Sequence, residues 1–202
     1  MTKWCACISI LGHSKNSQLR TNRFCCNSQS NFSYNSTTID EFRFDDLPLF
    51  ITRTHLVPDL RIRRATAKDL PSVTDLLKEY NLPTEGVPDH IANYLISESS
   101  GEMIGTIGLE VYESTGLLRS ACVKERFQSR GVGQRFYEIL ITYAQEIGVD
   151  EVVLLTTTAK NYFARKGFEV IDRESVTGSV LNSSEFRGAC PTTATVMIKR
   201  LV

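Results

Sequence analysis

The segment from Leu117 to Ile147 constrains the fold of this chain more than any other. It contains an apolar strand pattern over Leu117–Val123, a glycine-containing turn over Gln128–Gly133, and an amphipathic helix pattern that ends at Ile147. Apolar residues recur in the helix at steps of three and four, which is the spacing of one buried face. Gly148 follows directly and suits the left-handed residue that ends many helices. The segment therefore predicts a strand, a turn and a long helix.

The join between this glycine turn (Gln128–Gly133) and the helix is a candidate anion site. A helix start presents unpaired backbone N–H groups and a partial positive charge. Gly131 and Gly133 lack side chains, so the phosphates of a ligand can approach these groups closely. A glycine-containing turn alone is weak evidence, since most such turns only redirect the chain. The strand before it and the helix after it strengthen the hypothesis that it binds phosphate.

The composition gives no indication of nucleic acid, a membrane or a metal ion as partner. The chain has 23 basic and 23 acidic residues, so its net charge of zero gives no reason to expect nucleic acid or an anionic membrane. No apolar run approaches the roughly 18 residues of a membrane span. Cys5-x-Cys7 and the adjacent Cys25 and Cys26 lack the two-residue gap of usual zinc pairs. We therefore expect no metal site.

Residues 1–39 differ in composition from the rest of the chain. They contain basic residues but no acid, and they are rich in serine and asparagine. This composition is typical of an organellar transit peptide, and equally of a disordered tail or of a leader translated from a wrongly chosen start. We expect residues 1–57 to be such a tail or leader and residues 58–202 to form one domain. A cytoplasmic location is expected, with organellar targeting by residues 1–39 as the alternative.

The chain after the tail alternates strand and helix patterns. In order, the patterns predict a strand at 60–64, a helix ending at 81, hairpin strands at 93–98 and 103–112, the central strand and helix, a strand at 152–155, a helix at 159–165, and strands at 168–171 and 193–201. Gly105 and Gly108 inside a strand indicate a bulge or a close approach by another group. This order predicts an α+β (α/β) fold, a mixed sheet with helices on its faces.

The glycine turn matches the motif Arg/Gln-x-x-Gly-x-Gly/Ala, and the chain resembles the GNAT superfamily of acyl-CoA-dependent N-acetyltransferases. The spacing from Val123 to the turn agrees with this resemblance, as does the Phe-x-x-x-Gly-Phe sequence at residues 163–168. The resemblance covers about residues 60–202. It implies a mostly antiparallel sheet, helices on both faces, a central splayed pair of parallel strands, and acetyl-CoA as cosubstrate. We expect a monomer or a homodimer.

Shorter stretches narrow the resemblance further. Those that look like the arsenic-resistance N-acetyltransferase family are Leu82–Val87, Gly108–Tyr112, Leu117–Ser120, Leu155–Ala159, Glu185-Phe186 and Cys190-Pro191. The ending from Cys190 to Met197 also resembles the acetyltransferase domain of N-acetylglutamate synthases. Three functions stay open: acetylation of a small amino-acid-like amine, with arsenic- or phosphorus-containing amines among the candidates; an N-acetylglutamate-synthase-like activity; and CoA binding without catalysis.

The superfamily resemblance implies how CoA is held. Backbone groups of the central strand would pair with the pantetheine arm, and N–H groups of the turn would hold the pyrophosphate. The residues concerned are Ala121, Cys122, Val123, Gln128, Ser129, Arg130, Gly131, Val132, Gly133 and Gln134. The N–H of Val123 is the candidate donor to the tetrahedral oxyanion. A tyrosine often protonates the thiolate in this superfamily, but here Phe163 stands at that position with Tyr162 beside it, so the general acid stays open.

The acceptor amine must lose a proton before it attacks the thioester, so a base is required. Glu110, near the end of its strand, is the first candidate for base or amine anchor, and Glu85, in a loop, is the second. Arg119 and Ser120 alternate with the pantetheine-binding backbone and are predicted to face the acceptor, a small-molecule amine. Arg119 would bind a carboxylate or an oxyanion with two hydrogen bonds. The alternatives are a solvated carboxylate for each glutamate and an ion pair across the sheet for Arg119.

Overall fold

A computed structural model of the protein describes Val57 and residues 59–201. The predictions of a tail or leader over residues 1–57, and of targeting by residues 1–39, therefore lie outside the described residues except at Val57, which is buried in the core. Among the described residues, no helix is both long enough and apolar enough to cross a membrane.

Seven strands form one sheet on the described part of the chain. The strands are β1 (Arg61–Arg64), β2 (Tyr94–Ser99), β3 (Glu102–Tyr112), β4 (Thr115–Val123), β5 (Glu151–Thr156), β6 (Glu169–Ile171) and β7 (Thr195–Arg200). The described α-helices are α1 (Leu70–Glu79), α2 (Val87–His90), α3 (Val132–Glu146) and α4 (Lys160–Ala164). The strand order is β1-β2-β3-β4-β5-β7-β6, and only β4 and β5 are parallel. The predicted mixed, mostly antiparallel sheet with a central parallel pair is confirmed.

The start of β4 and the end of α1 differ from the boundaries predicted from the sequence. β4 begins at Thr115 rather than at Leu117, because Thr115 pairs with Tyr112 on β3 and with Glu151 on β5. α1 ends at Glu79, and Asn81 takes a left-handed φ of 54° just after it. Asparagine tolerates that conformation better than most residues, so it suits the end of a helix.

Helices cover both faces of the sheet, as predicted. α3 packs on one face, and its buried residues join the largest apolar cluster. α1 and α2 cover the other face through a second cluster, and the segment leading to β7 covers the same face through a third. The register places Glu110 opposite Leu117 of the third cluster, and Gly108 opposite Tyr94 of the second. Glu110 therefore lies between these two clusters, on the face away from α3.

The parallel pair β4–β5 is splayed. Its pairing covers Thr115–Leu117 of β4 and Glu151–Val153 of β5, whereas β5 goes on pairing with β7 as far as Thr156. Beyond Leu117, the β5-facing backbone of β4 has no strand partner among the described residues. This opening gives an extended ligand room to pair with β4.

A close approach explains Gly108 in the middle of β3. A Cβ at this position would lie 2.3 Å from Cζ of the Tyr94 ring, and Tyr94 is fully buried. The register also shifts between Thr106 and Gly108, so the bulge and the close approach that the sequence indicates are both present.

We expect Gly108→Ala to lower the free energy of unfolding by about 1–3 kcal/mol, because the added methyl group overpacks the site against the Tyr94 ring. Urea unfolding measures the change. Gly133→Ala is the matched control: nothing lies closer than 4.0 Å to the added Cβ, and alanine favours the helix. A Gly108→Ala protein as stable as the control would contradict the close approach.

Candidate active site

The glycine turn is tied back to the end of β4 by a side chain. Gln128 donates from Nε2 to the backbone oxygen of Val123 at 2.8 Å. Ser129 and Gly131 take left-handed φ angles of 59° and 83°. Gly131 caps α3, whose first-turn N–H groups have no acceptor within the helix. A Cβ on Gly131 would meet no atom within 4 Å outside its two chain neighbours, so the turn is open at this residue.

Positive charge and a tyrosine flank the turn. Arg130 is exposed, and Lys166 donates from Nζ to Oε1 of Gln134 in the first turn of α3. Tyr162 donates its O–H to the backbone oxygen of Gly133 at 3.3 Å, and burial raises its pKa to about 12. Phe163 is fully buried in the core. The hydroxyl next to the usual tyrosine position therefore lies at the turn, beside the expected pyrophosphate.

The strand segment predicted to pair with pantetheine lies at the splay. Ala121, Cys122 and Val123 are buried, and the last two pair with Thr106 and Gly105 on β3. Their opposite edge is the one that parts from β5. An extended arm would add there as a further strand, through backbone hydrogen bonds.

Three charged side chains form a buried charge cluster (Arg119, Glu110 and Glu185) on the face away from α3. Arg119 is 0% exposed and each carboxylate is 1% exposed. Nη1 of Arg119 lies 2.5 Å from Oε1 of Glu110, and Nε of Arg119 lies 3.3 Å from Oε1 of Glu185. An ion pair across the sheet, the alternative to an acceptor-binding role for Arg119, is thus present, and Glu185 adds a second carboxylate that the sequence did not indicate.

The loop after α1 and the segment at Ser184 hold Arg119 in place through hydrogen bonds. Its Nη1 donates to the backbone oxygen of Glu85 at 2.8 Å and to Oγ of Ser184 at 3.1 Å, and its Nη2 donates to the backbone oxygen of Pro83 at 3.2 Å. Ser184 also donates to the backbone oxygen of Glu85 at 3.0 Å. Glu85 is exposed, so its carbonyl rather than its carboxylate joins the cluster.

Glu110 is fully engaged by its neighbours. Its Oε1 accepts a hydrogen bond from Nη1 of Arg119, and its Oε2 accepts one at 2.6 Å from the O–H of Tyr112. Burial and this hydrogen bond raise the pKa of Tyr112, so the tyrosine stays protonated and remains a donor. Burial alone would lower the pKa of Arg119, but the neighbouring Tyr94, Glu185 and Glu110 raise it overall, and the guanidinium stays charged.

Glu185 differs from Glu110 in the hydrogen bonding of its carboxylate. Neither of its carboxylate oxygens, nor Nε of Arg119, has a hydrogen-bond partner among the described residues, because the ion pair at 3.3 Å is poorly aligned. Burial raises its pKa from 4.5 to about 7, and Arg119 opposes that rise only in part. Its protonation state therefore changes close to neutral pH.

Ser120 occupies a bulge beside the cluster. Its φ is 56°, and its Oγ lies 3.1 Å from the hydroxyl of Tyr94, whose pKa burial raises to about 12. Ser120 is buried, so its hydroxyl is held by the protein and is not open to solvent.

The structure brings some of the candidate residues together and separates others. Glu110 and Arg119 meet in the buried charge cluster, while the carboxylate of Glu85 lies outside it. Ser184 and Glu185 were missed as site residues. The one signal in the sequence is that Glu185 belongs to a short stretch resembling the arsenic-resistance N-acetyltransferase family. That resemblance did not imply a role for Glu185. No group of three or more side chains suited to a metal ion occurs among residues 57 and 59–201.

Comparisons with known proteins identify the family. A model described as the acetyltransferase (GNAT) family matches residues 60–169. An uncharacterised N-acetyltransferase from Chlorobaculum tepidum is 26% identical over 124 residues, covering 57% of this chain and 79% of that protein. An amino-acid acetyltransferase from Neisseria meningitidis is 25% identical over 124 residues, covering 57% of this chain and 28% of that protein.

Among solved structures, N-acetylglutamate synthase from Neisseria gonorrhoeae, complexed with coenzyme A and N-acetyl-glutamate, has the same fold. Its TM-score is 0.61 at 23% identity, covering 71% of this chain and 35% of that one. The chain therefore spans about a third or less of the two Neisseria proteins it matches.

Proposed function

This chain belongs to the GNAT acetyltransferase family, and on that premise we propose that it transfers the acetyl group of acetyl-CoA to the amine of a small, amino-acid-like molecule. The observation that carries the proposal is the position of the buried charge cluster. Arg119 lies two residues before Ala121 on β4, the first residue of the segment expected to hold pantetheine. In this proposal, charged groups suited to a charged acceptor therefore lie next to the expected thioester.

Acetyl-CoA would be held by three parts of the chain. The glycine turn and the first turn of α3 supply N–H groups for the pyrophosphate, and the Ala121–Val123 edge supplies backbone partners for pantetheine. The N–H of Val123 is the proposed donor to the oxyanion of the tetrahedral intermediate. These assignments follow the family pattern, and the open space in front of Gly131 supports them.

The departing thiolate needs no dedicated acid in this proposal. Phe163 has no proton to give, and the hydroxyl of Tyr162 is bonded to the carbonyl of Gly133. A thiol of pKa about 8.5 is a tolerable leaving group without prior protonation.

The identity of the acceptor separates two forms of the proposal. The amino-acid acetyltransferases among the relatives favour an amino acid, and the N-acetylglutamate synthase of similar fold makes glutamate the first one to test. The hypothesis that the acceptor is an arsenic- or phosphorus-bearing amino-acid analogue rests on the short stretches that resemble the arsenic-resistance family. A CoA-binding domain without catalysis is the remaining alternative, because no tyrosine stands at position 163.

Release of free thiol from acetyl-CoA tests the proposal. The full chain is incubated with acetyl-CoA and a panel of amino acids and analogues that includes glutamate and arsenic- and phosphorus-bearing mimics. We expect thiol release above the acceptor-free rate with at least one member. Release with glutamate would favour the N-acetylglutamate-synthase-like form. Binding of acetyl-CoA without release from any amine would contradict catalysis and favour the binding domain.

A further inference from the structure

The buried charge cluster holds one more negative group than positive when both of its carboxylates are ionised. Arg119 is its one cation, and Glu110 and Glu185 are its anions. Arg173 lies nearby, but its Nη2 donates to the backbone oxygens of Glu185 and Phe186 at 3.4 Å and 3.2 Å rather than to a carboxylate. Buried charges are normally paired and hydrogen-bonded, so this site suits a further cation or proton.

The two carboxylates differ in what already surrounds them. Glu110 is bonded to Nη1 of Arg119 at 2.5 Å and to the hydroxyl of Tyr112 at 2.6 Å. Glu185 has no hydrogen bond from any described residue on either oxygen. A carboxylate that already accepts strong hydrogen bonds is a weak base, whereas an unbonded buried carboxylate is a strong one. Glu110 is therefore suited to fix Arg119, and Glu185 is suited to receive a proton.

From these contacts, and resting on the proposed acetyl transfer, we propose that Glu185 binds the ammonium group of the acceptor and accepts its proton. A primary ammonium has three N–H donors, and the two unbonded oxygens of Glu185 are acceptors that match them. The acceptor would then be an amine that arrives as its cation. This assigns the base to the segment that follows Ser184 rather than to β3.

The proton and electron balance is simple. Glu185 takes one proton from the ammonium and leaves a neutral amine. The nitrogen lone pair forms a C–N bond to the acetyl carbonyl carbon, and the C–S bond breaks with its electron pair on sulfur. The proton lost from nitrogen as the tetrahedral intermediate collapses goes to the CoA thiolate. Glu185 returns its own proton to solvent after the amide product leaves.

The pH dependence follows from the groups that face Glu185. Five side chains interact electrostatically with the carboxylate of Glu185. They are Arg119 on β4, Glu110 and Tyr112 on β3, Tyr94 on β2, and Arg173 in the segment between β6 and β7. Burial raises the pKa of Glu185 to about 7 despite the two arginines. The deprotonated form is the one that accepts the proton, so activity should fall as the pH drops through about 7.

The kinetic test compares Glu185→Gln with two matched variants, using the panel amine that gives thiol release. We expect Glu185→Gln to lower kcat about 100- to 1,000-fold and to abolish the acidic limb of the pH profile, while the dissociation constant for acetyl-CoA is unchanged. Glu174→Gln, an exposed neighbour, should leave both rate and profile unchanged. Glu110→Gln should retain an acidic limb. A limb that persists in Glu185→Gln and disappears in Glu110→Gln would overturn the proposal.

A direct titration of the carboxyl group tests Glu185 without any known acceptor. Carbon NMR of full-length protein labelled at its glutamate carboxyls follows the signal that is missing in Glu185→Gln, with acetyl-CoA bound. We expect a midpoint near 7 that falls by about one unit in methylammonium and not in an equal concentration of potassium. A midpoint near 4.5, or one that methylammonium does not move, would overturn the proposal. If thiol release fails with every amine, the proposed acetyl transfer fails, while this titration still decides the role of Glu185.

Discussion

Replacing Arg119 with alanine is expected to lower the free energy of unfolding by about 3–5 kcal/mol. Arg119 is fully buried and is the cation between two carboxylates that are each 1% exposed. Its removal leaves Glu110 and Glu185 facing each other in a region of low dielectric. It also removes the hydrogen bonds to the carbonyls of Pro83 and Glu85, which join the loop after α1 to the sheet. Denaturation in urea measures the loss.

Arg63 provides the matched control for this prediction. It also pairs with two carboxylates, those of Asp69 and Glu98, at 2.9 Å and 2.8 Å. Its side chain is 37% exposed, so solvent screens both pairs and Arg63→Ala should cost about 1 kcal/mol or less. Equal losses in the two variants would contradict the assignment of a buried, charge-dependent cluster.

Replacing Gly131 with leucine is expected to weaken acetyl-CoA binding about 100-fold or more without unfolding the protein. The new side chain would occupy the open space at the N-cap of α3, where the pyrophosphate is expected to bind. Each charge-assisted hydrogen bond that the pyrophosphate then fails to make is worth about 1.5–3 kcal/mol, so two lost bonds exceed a factor of 100. Isothermal titration calorimetry with acetyl-CoA measures the change.

The φ of 83° at Gly131 strains any other residue, so backbone strain must be separated from blocked access. Gly101, in the turn between β2 and β3, has a φ of 79° and equally open surroundings. Gly101→Leu should therefore carry a similar loss of stability, about 1–2 kcal/mol, and bind acetyl-CoA normally. Full binding by Gly131→Leu would remove the phosphate role of the glycine turn.

The fold was predictable from the sequence because its signals are local. The strand, turn and helix of residues 117–147 follow from apolar spacing and from glycines at the turn, and each is decided by neighbours in the chain. The mixed sheet followed from the order of the elements and from the family resemblance. The first residue of β4 was misplaced because pairing with β3 and with β5 extends the strand to Thr115, and the contact with β5 is not local.

The candidate site was only partly predictable, because its residues meet through tertiary packing. Glu110 and Arg119 lie on adjacent strands, so their proximity could be inferred. Glu185 comes from a distant segment that folds back over the sheet, and nothing in its local sequence indicates that it ends beside Arg119. The glycines of β3 indicate a bulge, but its extra residue lies on β4, and nothing in the sequence indicates that the hydroxyl of Ser120 lies beside that of Tyr94.

Acetyl transfer is tested most directly by following a deuterated acetyl group from acetyl-CoA into the acceptor panel and locating it by mass spectrometry. We expect the label on the amine nitrogen of an amino-acid-like acceptor with the full chain, and we expect Gly131→Leu and Glu185→Gln each to suppress this transfer. Label that remains on CoA, or that appears only in free acetate, while acetyl-CoA is demonstrably bound, would contradict it.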